Sequence, residues 1–308
     1  MEVVALIVIG LFAGFVGGLL GVGGSIVMIP AMTELLGPDQ HLYQAAAMIV
    51  NFFVVVPAVV QHRRARAIHA GTVRRLVPLA MLAVVVGVGV SEIPVFAGRG
   101  EAYLRAMFGA FLLLAAGADL YRVLRNSRPV SPTTVPSGTA MDTGWSRSMI
   151  VAIPVGFVAG LLGVGGGILA VPLQRRVLGI SIRVAIANSA TIIIATSLVG
   201  AMVKNYAYLQ DHPGSLRPFL LALVLIPTAI VGSLYGSSLT HRLPLRVVKA
   251  AFFVLLSVAA VRLVQGAARD LRHTEVASDA HFRAGSAPTR KSCPLAVPEA
   301  LRRVQLFC

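Results

Sequence analysis

The sequence predicts an all-α integral membrane protein, and three observations support this fold class. The chain has 308 residues, of which 56% are hydrophobic and 13% charged, with a mean hydropathy of +0.82. In a soluble domain about a quarter of the residues are charged. Apolar runs of about 20 residues, the length that crosses about 30 Å of hydrocarbon as a helix, recur along the chain. One glycine-rich motif also occurs twice, which indicates an internal duplication.

We predict about eight transmembrane helices in two tandem homologous halves. The predicted spans are residues 3–22, 42–60, 76–94, 103–121, 148–166, 183–202, 217–238 and 246–264. The N-terminus is interpreted as the first span, because it has neither a basic region nor a cleavage site of the signal-peptide kind. The halves, residues 1–124 and 148–264, have four spans each and would be parallel. If the short segments after the glycine motifs also cross, the number per half is odd and the halves are inverted.

Two segments fall outside the predicted spans. Residues 125–147 are rich in Pro, Ser and Thr and predict a flexible linker between the halves, because such a composition cannot bury apolar surface. Residues 265–308 are polar and basic and predict a disordered cytoplasmic tail.

The distribution of Lys and Arg predicts the orientation of the spans. Loops 61–75, 122–147 and 203–217 hold five, four and two of these residues, and the tail holds seven. The loops assigned to the opposite side, 31–41, 92–105, 173–183 and 239–249, hold none, two, three and three. Because cytoplasmic loops carry an excess of Lys and Arg, we expect a multi-pass protein of the cell inner membrane with both termini in the cytoplasm.

The repeated motif is the most informative feature of the sequence. "GFVGGLLGVGGSIVMIP" occupies residues 14–30, and "GFVAGLLGVGGGILAVP" occupies residues 156–172, with 12 of 17 positions identical at an offset of 142. Gly14, Gly18, Gly156 and Gly160 have the spacing of small residues that pack helices together. The denser glycines that follow open the helix. This is tolerated inside a membrane only where the broken backbone faces protein or a wet cavity.

A broken helix leaves free N–H groups and a positive dipole end at the start of the next half-helix, which together form an anion site. Ser25 is predicted at the N-cap position of the first half-helix. Asn188 and Ser189 in the following span are predicted to add side-chain contacts, with hydrogen bonding between helices as the alternative role. The predicted substrate-binding residues are Gly21, Gly23, Gly24, Ser25, Gly163, Gly165, Gly166, Gly167, Asn188 and Ser189.

Several function classes are disfavoured. The net charge of +15 lies in loops and the tail without the aromatic residues on which nucleic acid would stack, so we expect a lipid bilayer and no nucleic acid as partner. The histidines lack metal-ligand spacing, and no catalytic constellation or P-loop is present. We therefore expect neither a metal site, a cofactor nor enzymatic activity.

The doubled motif resembles the TauE/SafE family of sulfite and organosulfonate exporters. The similarity rests on "GLLGVGGS…P" and "GLLGVGGG…P", on the basic loop "VVQHRRARAIHAGTVRRLVPLA" and on "ANSATIIIATSLVGA", and extends over about residues 3–264. The sequence departs from the family pattern at residues 45–51, which read "AAAMIVN" where relatives carry Thr and Ser. If those hydroxyls contact substrate in relatives, the second half here carries more of the site.

The expected function is that of a secondary transporter, an exporter that moves a small anion by alternating access together with a coupling ion. The resemblance implies sulfite or an organosulfonate as the substrate. Two alternatives remain open: a membrane scaffold or sensor that does not transport, and a passive anion channel.

Overall fold

The computed structural model describes residues 2–96, 100–124 and 144–239, together with residues 254, 257, 258, 260–263, 265 and 266. The predicted linker except residues 144–147, the predicted tail except residues 265 and 266, and most of the eighth predicted span lie outside these residues. The helices with defined bounds are α1 (Glu2–Leu20), α2 (Ser25–Leu36), α3 (Gln40–Arg64), α4 (Ala70–Ser91), α5 (Glu101–Leu124), α6 (Trp145–Leu162), α7 (Gly167–Val177), α8 (Ile182–Asp211) and α9 (Arg217–Leu239).

Six of these helices are long and apolar enough to cross a membrane. They are α1 from Val3 onwards, α3, α4, α6, α8 and α9, and they coincide with six of the eight predicted spans. The fourth predicted span, residues 103–121, lies within α5, which is helical but not among the six. The all-helical membrane architecture is therefore confirmed, and the total of eight spans stays a prediction.

The helices break at both glycine motifs, as predicted. α1 ends at Leu20 and α2 begins at Ser25, and α6 ends at Leu162 and α7 begins at Gly167. With 12 and 11 residues, α2 and α7 rise about 18 Å and 16 Å at 1.5 Å per residue. Each is therefore a half-helix that is too short to cross the bilayer alone.

α1 packs along α9 through a glycine face. A Cβ on Gly14 would lie 2.0 Å from the carbonyl oxygen of Ala229, and a Cβ on Gly18 would lie 2.5 Å from that of Ser233. The two backbones are thus in direct contact, which is how small residues bring membrane helices together. Because residue numbers increase together along both helices, α1 and α9 are parallel.

α6 packs along α4 in the same way, through glycines that lie 142 positions after those of α1. A Cβ on Gly156 or on Gly160 would lie 2.2 Å from the carbonyl oxygen of Ala80 or Val84, respectively. α6 and α4 are likewise parallel. The prediction that the first two glycines of each motif are packing surfaces is confirmed.

α3 and α8 follow the glycine breaks of the two halves and pack against each other in opposite directions. The side-chain amide of Asn205 donates to the carbonyl oxygen of Ala45 at 3.2 Å. A Cβ on Gly200 would lie 2.7 Å from the sulfur of Met48. Contacts therefore run from early α3 to late α8, so these two helices are antiparallel.

The helix bundle has two ends, which we name by a histidine at each. At the His41 end, Lys204 of α8 contacts His41 of α3 and Glu92 at the C-cap of α4. At the His69 end, the backbone N–H of His69 donates to Asn188 Oδ1 at 2.9 Å, which joins the start of α4 to the start of α8. α9 follows α8 at the His41 end, so α1, which is parallel to α9, also begins there.

These contacts correct the predicted grouping of loops. Loop 203–217 was expected on the opposite side from loops 31–41 and 92–105, yet Lys204 contacts both His41 and Glu92. Loops 61–75 and 173–183 were also expected on opposite sides. His69 of the first loop nevertheless bonds to Asn188, which lies near the start of the helix that follows the second loop. This grouping of loops was wrong because it counted only the full spans, whereas each half-helix also reverses the direction of the chain.

Candidate functional site

The first glycine loop, between α1 and α2, is closed by a side chain from α3. The amide N–H groups of Gly24 and Ser25 donate to Asn51 Oδ1 at 2.8 and 3.1 Å, and Asn51 Nδ2 donates to Ser25 Oγ at 3.0 Å. All three residues are buried. Asn51 therefore satisfies two of the free donors that a helix start leaves in the membrane interior.

This arrangement differs from the predicted one at Ser25. The N-cap residue of α2 is Gly24, and Ser25 is the first helical residue. The Ser25 hydroxyl accepts a hydrogen bond from Asn51 rather than capping a free N–H. The reason is that Asn51 reaches the amides from a neighbouring helix, so no local side chain is needed.

The second glycine loop, between α6 and α7, has no such cap. α7 begins at Gly167 with Gly166 as its N-cap residue. Among the residues that the structure describes, no side chain bonds to its first amides in the way that Asn51 bonds to those of α2. Gly165 and Gly166 have φ values of +72° and +82°, a left-handed conformation that is strained for any residue with a Cβ. The first-turn N–H groups of α7 are thus left open.

Two polar side chains of α8 lie against this second loop. Thr196 Oγ1 donates to the carbonyl oxygen of Gly165 at 3.1 Å, sharing its hydrogen with carbonyls of its own helix. Ser197 is fully buried, and its hydroxyl has no hydrogen-bond partner among the residues that the structure describes. A Cβ on Gly165 would lie 3.1 Å from Ser197 Oγ and 3.3 Å from Asn51 Nδ2, so both polar groups point at this glycine.

The two loops touch each other. A Cβ on Gly167 would lie 2.4 Å from Cα and 2.6 Å from the carbonyl oxygen of Val22. Each loop also packs on the long helix of the other half: a Cβ on Gly163 would meet Gln44 of α3, and a Cβ on Gly21 would meet Ile186 of α8, at 2.7 Å in both cases. Gly163 lies 142 positions after Gly21, and Ile186 lies 142 positions after Gln44, so these last two contacts are equivalent in the repeat.

The structure brings most of the predicted site residues together. The glycines of both motifs and Ser25 lie around the contact between the loops, and Ser189 Oγ donates to the carbonyl oxygen of Gly21 at 3.0 Å. Asn188 is placed elsewhere, because its Oδ1 accepts from the backbone of His69 at the start of α4. Ser189 therefore lies beside the first loop, whereas the second loop is lined by Thr196 and Ser197.

Sequence reasoning missed two groups of residues. It left Asn51, Thr196 and Ser197 out of the predicted site, although a polar side chain in mid-span is the available signal. It also assigned His41 and Lys204 to loops. Lys204 is instead a fully buried residue of α8, which continues to Asp211, nine residues beyond the predicted end of that span.

A known protein family matches nearly all of the described helices. The family model described as "Sulfite exporter TauE/SafE" matches residues 6–263, which include both glycine loops and every helix from α2 to α9.

The chain belongs to the TauE/SafE family.

Relatives of this TauE/SafE chain are named as membrane transporters. The "Probable membrane transporter protein MamO" of Paramagnetospirillum magneticum is 28% identical over 291 residues, which cover 85% of this chain and 44% of MamO. The chain thus spans less than half the length of that relative. A "Probable membrane transporter protein" of Haemophilus influenzae is 26% identical over 83% of this chain and 96% of its own length. YunE of Bacillus subtilis, with the same description, is 24% identical, with 86% and 98% coverage. No solved structure matches this chain.

Proposed function

We propose that this TauE/SafE protein is a secondary transporter that binds a small anion at the start of α7. The observation that carries the proposal is the pairing of an uncapped helix start with a buried, unpartnered hydroxyl. Within the described part of the chain no side chain caps α7, and Ser197 Oγ, which points at Gly165, has no hydrogen-bond partner there either. Open backbone amides at a positive helix end attract an anion, and the hydroxyl adds a donor.

The two loops have different roles in this proposal. Asn51 already binds the amides of Gly24 and Ser25, so the first loop has fewer donors to offer a ligand. We assign to it the role of a support that holds Asn51 beside Gly165. The anion then binds mainly to the second half, in agreement with the expectation drawn from the departure at residues 45–51. The predicted site residues that lie away from the start of α7 remain candidates for contacts with the anion at other steps of transport.

The substrate class follows from the ligand groups. Amide and hydroxyl donors suit an oxyanion, whose several oxygens accept hydrogen bonds at once. The family's description adds sulfite, and we propose sulfite or an organosulfonate as the transported anion, moved by alternating access. Because the site lies where the two halves touch, a movement between the halves would open it to either side.

The binding test uses purified protein in detergent and its thermal unfolding. Sulfite, taurine, sulfoacetate, sulfate and chloride are titrated in parallel, because a ligand at about a hundredfold excess over its Kd stabilises the folded state by about 2.7 kcal/mol. We expect S197A to weaken the binding of the stabilising anion about tenfold, since one hydrogen bond to a charged group is worth about 1.5–3 kcal/mol.

The matched control is T191A on the same helix, whose hydroxyl bonds to the carbonyl oxygen of Ala187 within α8. It should bind the anion as the wild type does. G165V should abolish binding and transport while the protein still inserts, with G89A as its control, because a Cβ at Gly89 would meet nothing within 4 Å. Equal anion stabilisation of S197A, T191A and wild type would exclude the proposed site.

We also propose that the two halves are inverted and that the His69 end faces the cytoplasm. The antiparallel packing of α3 on α8 supports the inversion, because these helices are equivalent in the repeat. Among described residues next to the helix ends, three basic side chains lie at the His41 end and nine at the His69 end. Those at the His41 end are Arg105, Lys204 and Arg217. Those at the His69 end are Arg63, Arg64, Arg66, Arg74, Arg75, Arg147, Arg175, Arg176 and Arg183.

By the positive-inside tendency, this distribution supports an N-terminus outside the cytoplasm, because α1 begins at the His41 end. The proposal replaces the expectation of a cytoplasmic N-terminus, which depended on the incorrect grouping of loops. An exporter in this orientation takes up its anion from the His69 end and releases it at the His41 end.

A further inference from the structure

A buried cluster of titratable side chains lies at the His41 end, separate from the anion site. Lys204 Nζ donates to Ser91 Oγ at 3.0 Å and to Glu92 Oε1, and it lies 2.9 Å from His41 Nδ1. The side chain of Lys204 is 1% exposed, and those of His41 and Glu92 are 14% and 21% exposed. The cluster joins α3, α4 and α8.

The contacts define which nitrogen of His41 carries its hydrogen. Nε2 lies 3.0 Å from the carbonyl oxygen of Phe96, and a carbonyl oxygen only accepts, so Nε2 is the donor. Nδ1 of the neutral ring is therefore the acceptor for Lys204. With Ser91, Glu92 and His41 as acceptors, all three ammonium hydrogens are used. Lys204 thus has no donor left for a substrate anion.

We propose that His41 Nδ1 is a proton-binding site that opens the His41 end. A proton from water at this end would bind to the Nδ1 lone pair and replace the hydrogen bond from Lys204 with a contact between two cations. Lys204 then has to move away from His41, while Glu92 Oε1, 3.6 Å from Nδ1, accepts the new N–H. α8 then loses the hydrogen bond between Lys204 and His41, which joins it to the start of α3. Imidazole is the side chain that exchanges a proton between about pH 5 and 8.

The position of the cluster gives this event a consequence for transport. Lys204 follows Ser197 by seven residues on α8, two turns and about 10 Å further towards the His41 end. Between them α8 contacts α3 through Gly200 and Met48, and directly after Lys204 it contacts α3 again through Asn205 and Ala45. The cluster therefore lies at the His41 end of the interface between α3 and α8, and this interface separates the anion site from that end.

Other charged groups near the cluster come from each adjoining element. Among the described residues they are Asp39 before α3, Glu101 and Arg105 of α5, Asp211 of α8 and Arg217 of α9. The three acids outnumber the two bases, so the surroundings can accommodate one additional positive charge. Glu101 also accepts a hydrogen bond from the backbone of Gln40 at 3.0 Å, which places α5 beside the cluster.

The first test needs no substrate. In protein whose native Cys293 and Cys308 are replaced by serine, the buried Ala45 is changed to cysteine (A45C), and its labelling by a water-soluble maleimide is measured from about pH 8 to about pH 5.5, the range in which imidazole titrates. Each rate is divided by the rate for A45C combined with H41Q at the same pH, so the reactivity of the thiol itself cancels. Gln retains an acceptor for Lys204 but does not take up a proton.

We expect this ratio to rise several-fold as the pH falls, and a flat ratio would overturn the proposal. H212Q, which changes an exposed histidine at the same end, is the matched control and should follow the wild type. If H41Q does not give monodisperse protein, K204Q replaces it. K204Q removes the like charge, so its labelling should show no response to pH beyond that of the thiol, and a wild-type response in K204Q would contradict the proposal.

The role in transport rests on the proposed function, and a second experiment separates the two. Equilibrium exchange of radiolabelled sulfite is measured in proteoliposomes at the same pH on both sides. Exchange that accelerates several-fold at low pH in the wild type relative to H41Q supports a proton-operated exit. A pH-dependent labelling ratio without any sulfite exchange would reject sulfite transport and retain the proton site. Sulfite exchange together with a labelling ratio that does not change with pH would retain sulfite transport and reject the proton site.

Discussion

The side-chain oxygen of Asn51 accepts a hydrogen bond from the amide of Gly24, 27 residues earlier in the chain, at 2.8 Å. The same oxygen accepts from the amide of Ser25. Asn51 thus caps α2 in place of the Ser25 hydroxyl, which the sequence had suggested as the cap. One asparagine from the next long helix thus stabilises the broken backbone of the first half, and its own amide nitrogen is directed at the second half.

We expect N51A to destabilise the protein by about 1–3 kcal/mol, because it leaves buried donors without an acceptor. Thermal unfolding in detergent measures the change. S197A is the control: its hydroxyl has no described partner, so it should unfold at the wild-type temperature. Equal stability of N51A and wild type would mean that water or another side chain caps α2.

Close backbone packing at Gly156 makes a second prediction. A Cβ there would lie 2.2 Å from the carbonyl oxygen of Ala80 and 2.8 Å from the Cβ of Ala83, so G156A forces α6 away from α4. We expect a loss of about 1–3 kcal/mol, typical of overpacking. G89A adds the same methyl group where nothing lies within 4 Å and should leave the unfolding temperature unchanged. An unchanged G156A would contradict the close backbone packing of these helices.

Glu92 gives a prediction on pH. Burial acts to raise the pKa of Glu92, but contact with His41 and the charge of Lys204 outweigh it and lower the pKa from 4.5 to about 2. A carboxylate whose pKa is lowered by folding stabilises the protein above its unfolded value and loses that contribution as the pH falls towards the folded value. The stabilisation should therefore be complete above about pH 4.5 and decline towards pH 2.

We expect E92Q to be about 3 kcal/mol less stable than wild type at neutral pH, because it leaves the buried Lys204 without its counter-ion. The difference should shrink as the pH falls below about 4.5, where the wild-type carboxylate is also neutralised. Unfolding temperatures of both proteins across this range measure it, with E34Q, at an exposed position, as the control. A difference that stays constant with pH would show that Glu92 acts by packing alone.

The orientation of the bundle makes a fourth prediction. A cysteine at position 212 (H212C), in the exposed connection at the His41 end, should react with a membrane-impermeant maleimide in intact cells. A65C, in the exposed connection at the His69 end, should react only after the membrane is permeabilised. Both use the background without Cys293 and Cys308. The opposite labelling pattern would place the N-terminus in the cytoplasm.

The sequence was sufficient to predict the breaks and the packing glycines, because both follow from local rules. Consecutive glycines open a helix wherever they occur, and small residues at a spacing of four form a flat helix face. The sequence was not sufficient to predict which side chains bond to or lie against the glycine loops. Asn51 and Ser197 act across the boundary between the halves, and their partners depend on how α3 crosses α8.

The cluster at the His41 end was missed for a different reason. Lys204 looked like a loop residue because hydropathy averages decline near it, although the helix itself continues to Asp211. His41 and Glu92 are single residues at helix ends 51 positions apart, and no spacing along the chain relates them. Only the antiparallel arrangement of α3 and α8 brings Lys204 to the same end.

The contact between Val22 and Gly167 restricts how the two halves can move. The backbones meet there without an intervening side chain, at the middle of the bundle and close to the proposed anion. Sliding one half past the other would bring a side chain into this narrow gap, whereas rotation of the halves about the Val22–Gly167 contact leaves the contact unchanged. A rotation that widens the bundle at one end narrows it at the other, so a single pivot made of backbone would prevent both ends from being open at once.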